Sequence, residues 1–342
     1  MRLATTLMYA GDPRATADTV AGWEDAGLDV LWVAEAYGFD APTIMGYLAA
    51  KTERVQIGSA ILPIYSRTPA LLAQTAAGLD AMSGGRAILG LGASGPQVIE
   101  GWHGVVYDKP IGRTREIIEI CRSIWRREVV THDGLYQLPL PEGQGTGLGK
   151  PLKILTHPVR DSIPVYVAAL GAANVRMTAE VADGWLPFLY VPERASDVWG
   201  AELAAGFSKR DAALPPLEIV AGGPVAIGDD VLGLRDLARP LIALYVGGMG
   251  AKGRNFYHDV VSRYGFEKEA DLIQEHYLAG RKKEAAAAVP DELLELSSLI
   301  GPESYVRDRI AAFREAGVTV LNVTPIDADP QRLLSKVKEL IS

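Results

Sequence analysis

The stretch Gly84-Gly85-Arg86-Ala87-Ile88-Leu89-Gly90-Leu91-Gly92-Ala93-Ser94-Gly95-Pro96-Gln97 decides how the rest of the chain is read. Two glycines make a turn, and residues 87–91 form a run that is apolar on both faces. A glycine-lined exit then leads to a helix with Pro96 near its first turn. An apolar run without alternation fits a strand covered on both sides, as in a parallel sheet. A strand that feeds a helix through Gly and Ser leaves several backbone N–H groups unpaired at one point, and such a point attracts an anion. The same glycines suit a tight connection that only permits close packing. The surrounding chain has to decide between the two.

Outward from this stretch, strand and helix signals alternate. Apolar runs at 3–8, 30–36 and 55–62 precede it, and each is followed by a helix opening at a proline: Asp12-Pro13, Ala41-Pro42 and Thr68-Pro69. Proline in a first turn has its φ preset and lacks an N–H that would be orphaned there anyway. Beyond the stretch the rhythm slackens. Residues 95–102 and 113–125 read as helices, 129–138 as a hairpin about an Asp133-Gly134 turn, and the glycine-rich 142–150 as a loop or lid. Strands at 163–170, 183–187 and 217–227 then resume, with helices at 172–182 and 192–212. A helical excursion over 231–299 precedes a helix at 302–316, a strand at 318–323 and a closing helix at 329–341. Four βα units, an insertion, and four more units with a second insertion predict an α/β fold. The expected architecture is a (β/α)8 TIM barrel in one domain over 1–342, with insertions at about 96–160 and 231–300. An open doubly wound sheet is the alternative, and it would not return a final strand beside the first.

Composition narrows the class of function. A hydrophobic content of 48% with 22% charged residues suits a globular chain with an ordinary core. A net charge of −8 without any Lys/Arg-rich run argues against nucleic acid or an anionic membrane as partner. The single cysteine, Cys121, cannot form an internal disulfide and fits a reducing compartment. No apolar run approaches membrane length, so a soluble cytoplasmic protein is expected.

In a barrel, ligands bind where the strands end. The residues just past each apolar run are Tyr9, Glu35 with Tyr37, Ala60-Ile61 with Pro63, Ser94-Gly95, Gly171 to Asn174, Pro187 and Thr324. This set holds one carboxylate, no histidine and no nucleophile–base pair, unlike a hydrolase. The five histidines show no ligand spacing, so no metal site is expected. A mouth of Gly, Ala, aromatic residues and backbone donors suits a large planar cofactor that brings its own reactivity.

The segments Gly58-Ser59-Ala60-Ile61-Leu62, Thr68-Pro69 with Ala73-Gln74, Gly84-Gly85-Arg86, Leu89 to Gly95, Pro164 to Gly171 and Ala182-Asp183-Gly184-Trp185 occur in the order found in the luciferase-like monooxygenase superfamily. The chain resembles that superfamily along nearly the whole barrel. It is most similar to the branch using the deazaflavin coenzyme F420, which includes methylenetetrahydromethanopterin reductase. The resemblance implies an oxidoreductase that passes a hydride between C5 of F420 and a small organic substrate. An FMN-dependent monooxygenase on the same barrel, or a deazaflavin carrier without turnover, are the alternatives.

Site residues follow from the same resemblance. A non-prolyl cis peptide is implied at Ala60-Ile61, in a bulge behind the ring, with the small Ser59 beside it. Glu35 matches an acidic position near the ring's pyrimidine edge, as a ring contact or a proton relay; a strand-end glutamate capping a helix or pairing with an arginine reads the same way. The family often has a histidine next to that acid, and this chain has Ala36 followed by Tyr37. Ser94, Gly95, Gln97 and Val98 match the segment lining the ribityl chain. Gly171, Ala172, Ala173 and Asn174 match the phosphate-side loop, with Arg176 one turn on as a solvated helix residue. Trp102 and His103 either cover the substrate side or pack under the insertion. The glycines of Tyr245-Val246-Gly247-Gly248-Met249-Gly250 suggest a hinge over the pocket. A homodimer or higher homo-oligomer is the expectation from relatives.

Overall fold

The computed structural model describes residues 1–7 and 12–342, so Tyr9 lies outside the described residues. Eight parallel strands form the barrel: β1 (Arg2–Leu7), β2 (Val30–Val33), β3 (Gln56–Ser59), β4 (Ala87–Gly92), β5 (Val165–Ala168), β6 (Gly184–Leu186), β7 (Glu218–Ile227) and β8 (Val320–Pro325). Each pairs with the next, and β1 closes the ring against β8, with Arg2 opposite Val320 and Thr5 opposite Val323. Closure excludes the open-sheet alternative.

Alternation along the strands sorts side chains to two cores. Ala4, Val30, Trp32, Ile88, Tyr166, Val220 and Val320 point inward and fill the barrel. Their sequence neighbours Leu31, Val33, Ile57, Leu89, Val165 and Val167 point outward under the helices. The interior is crowded: Trp32 and Tyr166 lie 5.3 Å apart. Gly58 makes room for Trp32, since a Cβ there would sit 2.3 Å from the indole. The floor is polar. Arg2 bridges Gln56, the Tyr166 hydroxyl (3.1 Å) and Glu218 (2.6 Å), and Tyr166 also donates to Glu218.

The surrounding helices are α1 (Pro13–Val20), α2 (Ala41–Lys51), α3 (Pro69–Ser83), α4 (Pro96–Gly101), α5 (Pro110–Trp125), α6 (Ala172–Val181), α7 (Pro192–Phe207), α8 (Arg239–Gly248), α9 (Phe256–Val261), α10 (Glu267–Leu278), α11 (Lys282–Ala287), α12 (Asp291–Leu296), α13 (Glu303–Glu315) and α14 (Pro330–Ile341). The starts of α1, α2, α3, α9 and α14 follow the capping rule. Asp12, Asp40 and Thr68 accept from first-turn N–H groups of α1, α2 and α3, each with proline at the start.

Four elements differ from the sequence reading. The excursion after β7 is not wholly helical: Leu299–Gly301 forms a strand on β7, pairing Val225 to Ile227. The short β6 reaches only Glu218 and Ile219, so the far half of that β7 edge needs another partner. The hairpin pairs His132 with Leu138 and Asp133 with Gln137, which makes Gly134 to Tyr136 the loop and not Asp133-Gly134. Glu116 sets that loop by accepting from the N–H groups of Leu135 and Tyr136, both at 3.0 Å. Helix α7 ends at Phe207, where Arg210 turns back onto the carbonyls of Ala179 and Ala182. The third apolar run does not continue as one strand: β3 stops at Ser59, and pairing resumes only at Leu62–Pro63.

Candidate active site at the barrel mouth

The interruption of β3 shapes one wall of the mouth. The Ser59 hydroxyl is fully buried; it donates to the Gly90 carbonyl (2.8 Å) and accepts from the Gly90 N–H (2.9 Å). A Cβ on Gly90 would fall 1.7 Å from the Ser59 carbonyl oxygen, so only glycine lets β4 lie this close to the break. The Ala60-Ile61 peptide bond is cis. Ala60 donates its N–H to Val33 (2.8 Å) and packs on the interior cluster; Ile61 leans over Gly92. Both residues remain half-buried, so a step of backbone and small apolar side chains is left at the C-terminal end of the strands. Ser59 contributes to this step through its backbone, because its hydroxyl is spent on Gly90.

Glu35 follows β2 and is tied on both oxygens. Arg67 donates to Oε1 (2.7 Å) and Oε2 (3.0 Å), and the Ala41 N–H at the start of α2 donates to Oε2 (2.7 Å). The second Arg67 nitrogen also reaches Asp40 (2.6 Å). The side chains of Glu35 and Arg67 are 8% and 11% exposed. Burial works to lower the Arg67 pKa, but hydrogen bonds and charge from Glu35 and Asp40 outweigh it and hold the guanidinium above its usual range. For Asp40, burial is likewise outweighed, by Thr43 and Arg67, and the carboxyl sits below the usual carboxylate value. Of the readings open for Glu35, the geometry is that of an anchor joining β2, the chain after β3 and the start of α2. A proton relay needs an oxygen turned to the ligand, and here three protein donors occupy the carboxylate.

Past β4, Ser94 is in the left-handed region (φ 56°), and its carbonyl accepts from the Tyr107 hydroxyl (3.4 Å). Tyr107 is braced by Tyr65 (centroids 5.1 Å apart), whose hydroxyl donates to the Asp108 carbonyl. Burial pushes the Tyr107 phenol above its usual pKa. Gly95 precedes α4, Gln97 is exposed and Val98 half-buried. Past β5, Gly171 precedes α6 without a side-chain cap. Ala172 and Ala173 are exposed, and their first-turn N–H groups have no acceptor within the helix. The Asn174 side-chain oxygen is buried without a partner. Phe256, at the start of α9, lies against Gly171, where a Cβ would come within 3.0 Å of its ring.

The structure thus puts Glu35, Ala60-Ile61, Ser94 to Val98 and Gly171 to Asn174 on one rim, each just after a barrel strand. The hinge reading is corrected. Gly247 and Gly248 belong to α8, and a Cβ on either would come within 2.4 Å of Tyr277 on α10; they serve close helix packing and not a hinge. Arg176 pairs with Glu202 of α7 (2.6 Å). Trp102 is exposed and meets Tyr37 (centroids 6.4 Å apart). Among the described residues no His, Cys, Asp or Glu group gathers as a metal site would, and no helix is long and apolar enough to cross a membrane. A groove between Asp236, Arg239, Glu269 and Ala286 to Asp291 is lined by the second insertion alone. Sequence reasoning missed Arg67, Tyr65 and Tyr107. Arg67 carried a usable signal: it is a lone cation beside the Thr68-Pro69 helix start, one strand over from a strand-end glutamate.

The barrel is that of the luciferase-like monooxygenases, and the chain belongs to that family, whose profile matches residues 1–320. Among individual relatives, it is 42% identical, over 98% of both chains, to a Mycobacterium tuberculosis protein named provisionally as a coenzyme F420-dependent oxidoreductase. It is 29% identical to the 5,10-methylenetetrahydromethanopterin reductase of Archaeoglobus fulgidus, over 93% of this chain and 92% of that one. The fold matches the F420-dependent tetrahydromethanopterin reductase of Methanopyrus kandleri with a TM-score of 0.81 at 22% identity, covering 99% of this chain and 98% of that chain. It matches an F420-dependent secondary alcohol dehydrogenase with a TM-score of 0.71 at 18% identity, covering 100% and 99%.

Proposed function

We propose that this chain is a coenzyme F420-dependent oxidoreductase acting on a small organic substrate. The observation that carries the proposal is the step at Ala60-Ile61, an apolar surface of backbone and small side chains beside the filled barrel interior. The names of the relatives at 42% and 29% identity support F420 as the cofactor.

The residues present fit such a group. Ala60 and Ile61 would take one face of the ring. Ser94, Gly95, Gln97 and Val98 would line the chain leaving it. Gly171, Ala172, Ala173 and Asn174 would receive the anionic end: first-turn N–H groups favour an anion, and the buried Asn174 oxygen wants a donor. When bound, F420 supplies hydride exchange at C5. The protein would bind and orient the ring and keep water from one face of it through the apolar step at Ala60-Ile61. Glu35 contributes by position, holding the end of β2 to the chain after β3 through Arg67.

The test is direct titration. Purified protein should quench deazaflavin fluorescence saturably and bind FMN at least about tenfold more weakly. Binding of FMN alone would refute the cofactor assignment. Binding of F420 with no oxidation or reduction of it by any enone, aldehyde or alcohol would leave a carrier in place of an enzyme.

A further inference from the structure

Two loops of the mouth carry an apolar surface that folding does not use. The loop after β2 exposes Tyr37 and Phe39, and the segment after α4 exposes Trp102, Val105 and Val106. Tyr37 and Trp102 are 61% and 67% exposed, yet their rings are in contact, so the two loops form one face. Large apolar side chains gathered in solvent beside a candidate site mark a binding surface. The acidic groups around this face are already committed. Glu35 and Asp40 are bound by Arg67, and Asp108 is bound by Arg113 (2.7 Å). Glu100 accepts from the Tyr107 N–H (3.2 Å). Lys109 closes that segment, exposed, as the residue before α5, and the buried Nε2 of His103 has no hydrogen-bond partner. An apolar ring system would bury itself against both aromatics.

We infer that the substrate of this mouth is a molecule with a bulky apolar, ring-bearing body, held against Tyr37 and Trp102. The inference rests on the mouth being the catalytic site proposed above, and it deepens that reading. Tyr37 and Trp102 are specificity-determining residues, binding the substrate's body and leaving the chemistry to the cofactor.

Trp102 supplies the readout. Of the six tryptophans, Trp32, Trp125, Trp185 and Trp199 are fully buried and Trp23 is half-buried. Acrylamide quenching of intrinsic fluorescence, corrected with the W102F variant, therefore follows Trp102. Progesterone, as a neutral polycyclic enone, should protect Trp102 at concentrations where glucose 6-phosphate and cyclohexenone do not. W102A and Y37A should each weaken progesterone binding by about tenfold or more, while F420 affinity stays within about twofold of wild type. Equal protection by glucose 6-phosphate, or wild-type progesterone binding in both variants, would overturn the inference. So would light scattering that shows a dimer converted to monomer by W102A, because the face would then be a subunit contact. Protection by progesterone in a protein that fails to bind F420 would support the apolar face while removing the cofactor assignment, so the two failures are distinguishable.

Discussion

Replacing Arg67 with methionine tests how the mouth is held. Arg67 makes two hydrogen bonds to Glu35, one to Asp40 and one to Ser66 (3.3 Å). Its loss leaves the Glu35 carboxylate, only 8% exposed, with the Ala41 N–H as its remaining protein donor. Removing one partner of a buried pair costs about 3–5 kcal/mol, because the surviving charge stays buried and uncompensated. An unfolding entropy of roughly 2.1 cal/mol/K per residue converts this, for 342 residues, to a fall in Tm of about 4–7 °C. The double variant Arg67→Met/Glu35→Leu removes both charges and should regain most of the loss. Calorimetry of wild type, both single variants and the double variant measures the cycle. F420 titration alongside should show affinity falling in Arg67→Met beyond what its small unfolded fraction explains. A change in Tm under about 1 °C for Arg67→Met, or strictly additive single effects, would refute the anchoring argument.

Four further outcomes are expected. Glu24 accepts from the N–H groups of Glu53, Arg54 and Val55 at 2.6–3.1 Å, so Glu24→Ala should cost about 1.5–3 kcal/mol in urea unfolding. Burial raises the Glu24 pKa, but those three N–H groups outweigh it and hold the value below 4.5. A depressed carboxyl stabilises the fold above its ordinary pKa and ceases to as pH falls through the folded-state value, so the variant and wild-type stability curves should converge in acid. Cys121 is fully buried, and burial pushes its thiol pKa up; a thiol reagent should leave native protein unmodified and label one site per chain in denaturant. Gly90→Ala should fail to accumulate as soluble protein or melt well below wild type, since its methyl meets the Ser59 carbonyl; Ser59→Ala, losing only the hydroxyl bonds, should cost about 1 kcal/mol by the same measurement.

The barrel was legible because its strands advertise themselves. Residues 87–91 and 30–33 are buried on both faces, and proline or a capping Asp or Thr marks the helix starts at 13, 41 and 69. Capping is a local event decided within a few residues, and so sequence shows it. The strand at Leu299–Gly301 was not legible, since its reason lies in a distant fact, the shortness of β6. The interruption at Ala60-Ile61 came from family likeness; nothing in the apolar run at 55–62 breaks its pattern. Gly247 and Gly248 misled because a helix that needs close approach to Tyr277 and a loop that needs freedom use the same residue. Arg67 and Glu35 stand 32 residues apart, and only the pairing of β2 with β3 makes them partners.

The two ends of this barrel are maintained by different means, and that division bears on which substitutions report on function. The floor is closed by Arg2, Gln56, Tyr166 and Glu218, all contributed by strands, and the interior above it is filled by Trp32 and Tyr166. At the mouth, the strand ends are held by charges in the connections, Glu35 with Arg67 and Asp40 on one side and Asp108 with Arg113 on another. The aromatic face of Tyr37, Phe39 and Trp102 belongs to neither system, since its side chains stay largely in solvent. Surface substitutions without buried partners shift stability by only about 0.5 kcal/mol. A loss of ligand binding in W102A or Y37A with an unchanged melting curve is therefore assignable to recognition, whereas the same loss in an Arg67 variant must first be corrected for the weakened fold.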